Sequence, residues 1–109
     1  MKLTYAIKYV ADMERAVAFH RDALGLPLAF QSPEWSEFAT GTTRLALHIA
    51  GEGHPAGSVQ LGYNSDDLDA RYAARETAGL TFTTVPVEQH GTRIARFLDS
   101  EGAECSISG

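Results

Sequence analysis

Arg44, Ala46 and His48 stand at alternate positions in TRLALHIA, so in a strand all three project from one face. A guanidinium and an imidazole side by side can hold a carboxylate, a phosphate or a phenolate through charge-assisted hydrogen bonds. The imidazole can also serve as a general base, which makes His48 the candidate catalytic residue. The same alternation puts Tyr5 and Ile7 of TYAIKYV on one face, as it does Ser58 and Gln60 of SVQLGY, with Arg96 in TRIARFL and Ser106 in ECSIS. Trp35 and Phe38, in WSEF, offer a flat wall for a planar ligand or, equally, core or dimer burial. Arg44 and Arg96 have a second fate open to them, pairing with Glu37 or Glu104 at a rim. His48 has one too, as a hydrogen-bonded structural histidine.

The remaining reactive residues fit structural roles. His20 lies on the apolar stripe of a helix and packs there, whereas His54 and His90 fall in loops and are expected to face solvent. Cys105 alternates away from the Ser106 face and has no His-Asp partner set, so it reads as a small core residue. Asp66 and Asp67 sit at a helix start, and Asp99 and Glu101 at a tight turn, where capping explains them. No glycine-rich phosphate loop, nucleophile elbow or catalytic carboxylate pair is present.

The elements that must position these residues can be read from periodicity. Residues 3–10 suit a strand; Asp12 then caps a helix over 12–24, with apolar residues at helical spacing and Gly25 as the left-handed stop. Strands follow over 26–31, 34–40 and 43–50. GEGHPAG at 51–57 is the Gly and Pro cluster of the chain and reads as a hinge. Beyond it the pattern restarts: a strand over 59–63, a helix capped by Asp66 or Asp67 and ended by Gly79, and strands over 80–85, 92–98 and 103–108, with 86–91 as a longer loop. In that second module Val59, Leu61 and Tyr63 are expected to back onto the helix. An offset of ~54 residues superposes Tyr9 on Tyr63, Asp12 on Asp66 and Gly25 on Gly79, an internal repeat. The organisation is therefore a single domain over 1–109: module one at 1–50, the hinge, and module two at 58–109.

Bulk properties restrict the partners. A chain of 109 residues with 44% hydrophobic and 21% charged content makes one ordinary core. A net charge of −5 argues against nucleic acid and anionic membrane surfaces. No apolar run is long enough to span a bilayer, and the opening residues meet charge too early for a signal peptide. A lone cysteine fits a reducing compartment, and the expected location is cytoplasmic.

The run DMERAVAFHRDALGL, with FLDSEGAECSIS near the end of the chain, resembles the signatures of the vicinal oxygen chelate superfamily, which includes glyoxalase I, fosfomycin-resistance enzymes, extradiol dioxygenases and bleomycin-binding proteins. The resemblance implies an α+β fold of two βαβββ modules forming an open, curled mixed-sheet cup, commonly in a homodimer, with Tyr5, Ile7, Arg44, His48, Ser58, Gln60, Arg96 and Ser106 lining the cup. It also implies metal ligands on the first strand of each module and on the last strands, where this chain has Tyr5, Ser58 and Ser106. Ser and Tyr oxygens are poor donors for such cations, so no metal and no cofactor are expected. The reading is a metal-independent binder of a small polar or anionic, partly planar ligand. The alternative is a glyoxalase-type lyase or isomerase using His48, with the metal absent or displaced onto His48 and Glu104.

Overall fold

The computed structural model describes residues 1–109. In chain order it contains β1 (Lys2–Val10), α1 (Met13–Ala18), a π-helical turn (Phe19–Ala23), β2 (Leu28–Phe30), β3 (Trp35–Phe38), β4 (Arg44–Ile49), β5 (Val59–Asn64), α2 (Leu68–Ala73), α3 (Arg75–Ala78), β6 (Thr81–Gln89), β7 (Thr92–Leu98) and β8 (Glu104–Ser108). Strands dominate and the helices are short, an α+β chain in which the βαβββ order occurs twice.

The chain divides into two compact units, Tyr5–Val59 and the pair of segments Met1–Thr4 and Gln60–Gly109. In the first unit the strands run β2-β3-β4-β1, with β1 parallel to β4 and the other pairs antiparallel. In the second they run β5-β8-β7-β6, with β5 parallel to β8 and again the rest antiparallel. The start of β1 belongs with the second unit, where the Thr4 hydroxyl donates to the Gly62 carbonyl at 3.2 Å. Residues 51–57 are tied to β1 inside the first unit: Gly57 N–H donates to the Tyr9 carbonyl and Tyr9 N–H to the Ser58 carbonyl, each at 2.9 Å.

Each unit covers one sheet face with its helix. Asp12 accepts from Arg15 N–H at 3.0 Å and starts α1. The buried face of α1, Met13 and Val17, packs on Val10, Phe38 and Leu47. In the second unit Asp67 accepts from Ala70 N–H at 2.9 Å and starts α2, whose Leu68 packs on Ala95 and Ile107. Gly25 and Gly79, both at left-handed φ, turn the chain out of the helices, as expected.

The structure corrects the expected pattern in four places. Phe38 lies on the α1 side of its strand, with no exposed surface. Trp35 and Phe38 are three positions apart, so the pleat sends them to opposite faces, and Phe38 is removed from the candidate site. The expected loop over 86–91 is mostly strand, since β6 runs to Gln89 and turns on His90 (φ 51°) and Gly91 (φ 80°). Pro86 is accommodated because β6 is the end strand of its unit and the register with β7 shifts between Thr84 and Val87. Val59 and Leu61 are 56% and 37% exposed, because the short α2 covers Tyr63 alone among the three. Finally, Tyr9 and Tyr63 are not equivalent. Tyr9 packs with Ile7 and Ala46 on the face away from α1, whereas Tyr63 packs on the Leu68 side. Asp67 rather than Asp66 is the cap, so through strand and cap the repeat is one residue longer than the offset at Gly25 and Gly79, and Tyr5 corresponds to Gln60.

Candidate functional site

In the Tyr5–Val59 unit the sheet face opposite α1 carries Tyr5, Ile7 and Tyr9 from β1 and Arg44, Ala46 and His48 from β4, in the register Tyr5↔Arg44, Ile7↔Ala46 and Tyr9↔His48. Trp35 and Glu37 join them from β3, opposite His48 and Ala46. Ile7, Tyr9 and Ala46 are buried and form the floor. Glu37 takes three donors: it accepts from the Tyr5 hydroxyl at 3.2 Å, from Trp35 Nε1 at 2.8 Å and from Arg44 Nη1 at 3.2 Å. Burial and then the Glu37 charge push the Tyr5 phenol above its ordinary range, so it stays a protonated donor.

Around His48 the same face is aromatic. The Trp35 ring meets His48 edge-on at 6.0 Å and 86°, Tyr9 lies 5.2 Å from it, and Tyr5 meets Trp35 edge-on at 5.5 Å. His54 stacks on Tyr9 at 4.4 Å and 11°, half-buried rather than in solvent as expected, because residues 51–57 fold back onto β1. His48 Nδ1 lies 2.7 Å from the Ile49 carbonyl.

In the other unit the face opposite α2 carries Gln60 on β5, Glu104 and Ser106 on β8 and Arg96 on β7, with Arg96 opposite Ser106. Gln60 is 5% exposed and donates to Glu104 at 3.3 Å. Glu104 also accepts from the Thr83 hydroxyl at 2.9 Å and pairs with Arg96 at 3.7 Å. The sequence left two fates for Arg44 and Arg96, and in this structure both guanidiniums are ion-paired within their own units. Ser58, just before β5, donates to the Pro55 carbonyl at 2.6 Å.

The other residues singled out from sequence are structural. His20 Nδ1 is 2.7 Å from the Ala16 carbonyl, one turn back, and its ring lies 5.7 Å from Phe38. His90 is an exposed turn residue. Cys105 is buried, and burial followed by the nearby Asp99 and Glu104 charges pushes its thiol up, away from the reactive thiolate. Asp99 caps its turn, accepting from Glu101 and Ala103 N–H at 2.8 and 2.9 Å. Glu37, named from sequence only as a partner for the arginines, is at the centre of this face. Alternation from Trp35 puts it on the site face, a signal that was available.

The family model for the Glyoxalase/Bleomycin resistance protein/Dioxygenase superfamily matches residues 2–107. The chain belongs to that superfamily. Among solved structures it is similar to a superfamily member from Vibrio splendidus 12B01, at 15% identity and TM-score 0.72, with 98% of this chain and 97% of that one covered. It is also similar to a hypothetical protein from Bacillus halodurans C-125, at 14% identity and TM-score 0.82, covering 98% and 92%. Methylmalonyl-CoA epimerase from Mycobacterium tuberculosis matches at 19% identity and TM-score 0.76, covering 97% and 85%. At these identities the likeness shows the fold. No curated protein matches the chain.

The superfamily resemblance implies a metal, and the donors of this member do not suit one. No group of three or more His, Cys, Asp or Glu side chains is placed to hold an ion. At the positions where the resemblance puts ligands the chain offers Tyr5, kept a neutral phenol by burial and Glu37, and the neutral hydroxyls of Ser58 and Ser106, all poor donors for such cations. The displaced pair offers two donor groups at most, His48 Nε2 and a Glu104 carboxylate that already accepts from Gln60 and Thr83 and pairs with Arg96, and two fall short of a closed site.

Proposed function

We propose that this superfamily member is a metal-independent binding protein for a small, polar, partly planar molecule. The observation that carries this reading is the helix-free face of the Tyr5–Val59 unit: the part-exposed rings of Trp35 and His48 over the buried Tyr9, beside polar groups, with no cation-binding donor set. Planar rings in such a setting gain from stacking and edge contacts, and a few fixed polar groups orient them. An anionic ligand, also expected from sequence, would share Arg44 with Glu37, which pairs with it at 3.2 Å. The lyase or isomerase reading retains one supporting feature, the second nitrogen of His48, which has no protein partner.

No helix is long and apolar enough to cross a membrane, and the charge of −5 supports neither nucleic acid nor anionic lipid as partner. We place the protein in the cytoplasm as a homodimer. The end strands β2 and β6 carry exposed Phe30, Val85 and Val87, which pairing with a second copy would cover.

Protein purified without chelator tests both statements. Elemental analysis should find no stoichiometric zinc, nickel, manganese or iron, and light scattering should give twice the chain mass. Stoichiometric metal whose removal lowers the melting temperature by about 10 °C would overturn the metal-independent reading, because a ligand of the native state alone must stabilise it. A monomeric mass would overturn the dimer.

A further inference from the structure

We propose that His48 is the hydrogen-bond acceptor of the ligand, and that the molecule it takes is a planar aromatic carrying a neutral O–H or N–H donor. This rests on the small-molecule reading above and narrows it.

The tautomer is set by the backbone. A carbonyl oxygen can only accept, so the 2.7 Å contact between His48 Nδ1 and the Ile49 carbonyl requires the hydrogen on Nδ1. Neutral imidazole then presents Nε2 as a lone-pair acceptor. His48 is half-buried and makes no second polar contact, and no buried side-chain nitrogen or oxygen of the chain lacks a partner. Nε2 is therefore on the accessible side of the ring. Two aromatic neighbours, Tyr9 at 5.2 Å and Trp35 at 6.0 Å, flank it. Tyr9 is buried, with His54 stacked on its ring, so a flat ligand that reaches Nε2 meets the part-exposed Trp35 ring at the same time.

The neighbouring charges select between donor and anion. Glu37, which holds Trp35 Nε1 and Arg44, keeps a carboxylate beside the only cation that this face supplies from β1, β3 or β4 other than histidine. An anion would have to share Arg44 with Glu37 and bear the repulsion of that carboxylate. A neutral donor meets no such competition.

The test uses indole, 1-methylindole and indole-3-carboxylate as probes near pH 7.5, followed by the indole N–H resonance of Trp35, the single tryptophan. Indole should bind about five- to tenfold more tightly than 1-methylindole, the worth of one hydrogen bond, and more tightly than the carboxylate. His48→Phe, which keeps a ring and removes the acceptor, should bring indole down to the level of 1-methylindole. His48→Gln, whose side-chain oxygen can accept, should keep part of the preference and serves if His48→Phe fails to fold. Equal binding of indole and 1-methylindole by the native protein, a preference that survives His48→Phe, or tighter binding of the carboxylate would overturn the assignment of His48 alone. If none of the three moves the Trp35 resonance, the small-molecule reading of this face falls with it.

Discussion

Both modules place one glutamate on the sheet face opposite their helix, and they arm it from opposite strands. In the Tyr5–Val59 unit Glu37 is on the first strand of a hairpin and Arg44 on the second; in the other unit Arg96 is on the first and Glu104 on the second. The remaining donors differ in kind. Glu37 is held by a phenol and an indole, Glu104 by a carboxamide and a hydroxyl. Only the first arrangement builds an aromatic surface. The repeat conserves the scaffold while each face is composed independently, because the pleat separates the two faces and a helix holds only one of them.

The largest test of this equivalence is in the cores. Phe38→Ala should cost about 3–5 kcal/mol and Leu68→Ala about 2–5 kcal/mol in urea unfolding, since each side chain is almost wholly buried under its module's helix. If Phe38→Ala costs under about 1 kcal/mol, the first module's core is not where the fold places it. The folded fraction of Phe38→Ala should still bind indole at the native affinity, and loss of binding there would return Phe38 to the site.

A smaller effect sharpens the contrast between donor and anion. Glu37→Gln removes the charge beside Arg44 while its amide oxygen can still accept from Trp35 Nε1 and its NH2 can donate to the Tyr5 hydroxyl oxygen, so indole-3-carboxylate should bind about tenfold more tightly than to the native protein, as a charge-assisted hydrogen bond is worth roughly 1.5–3 kcal/mol. Unchanged affinity would mean that Glu37 does not govern the charge of this face.

The smallest effect is the alkaline limb. The Tyr5 phenol is raised in the fold, first by burial and then by Glu37. A group raised in this way contributes stability that is fully present below the ordinary phenol value of about 10 and is lost as pH rises through its higher folded value. Tyr5→Phe should therefore be less stable than the native protein near neutrality and should lose less as pH climbs past 10. A native stability that rises over that range would contradict the Tyr5 contact with Glu37.

Sequence alone determined the local features. Asp12, Gly25 and Gly79 mark their helix ends because a side-chain oxygen that caps free N–H groups and a residue that tolerates left-handed φ act within a turn of chain. The doubled βαβββ order follows from the same short-range signals, and so does the sharing of one face by Arg44, Ala46 and His48, which needs only the period of a strand. Tertiary structure decided which face the helix would cover. That choice buried Phe38, left Val59 and Leu61 exposed and showed that Tyr9 and Tyr63 are not counterparts. It decided the partners as well: Glu37 sits next to Arg44 through antiparallel register, and His54 rests on Tyr9 because residues 51–57 bond back to β1. Strand periodicity assigns a side chain to a face, but what meets it there depends on pairing between distant segments, and that pairing forms only when the whole sheet does.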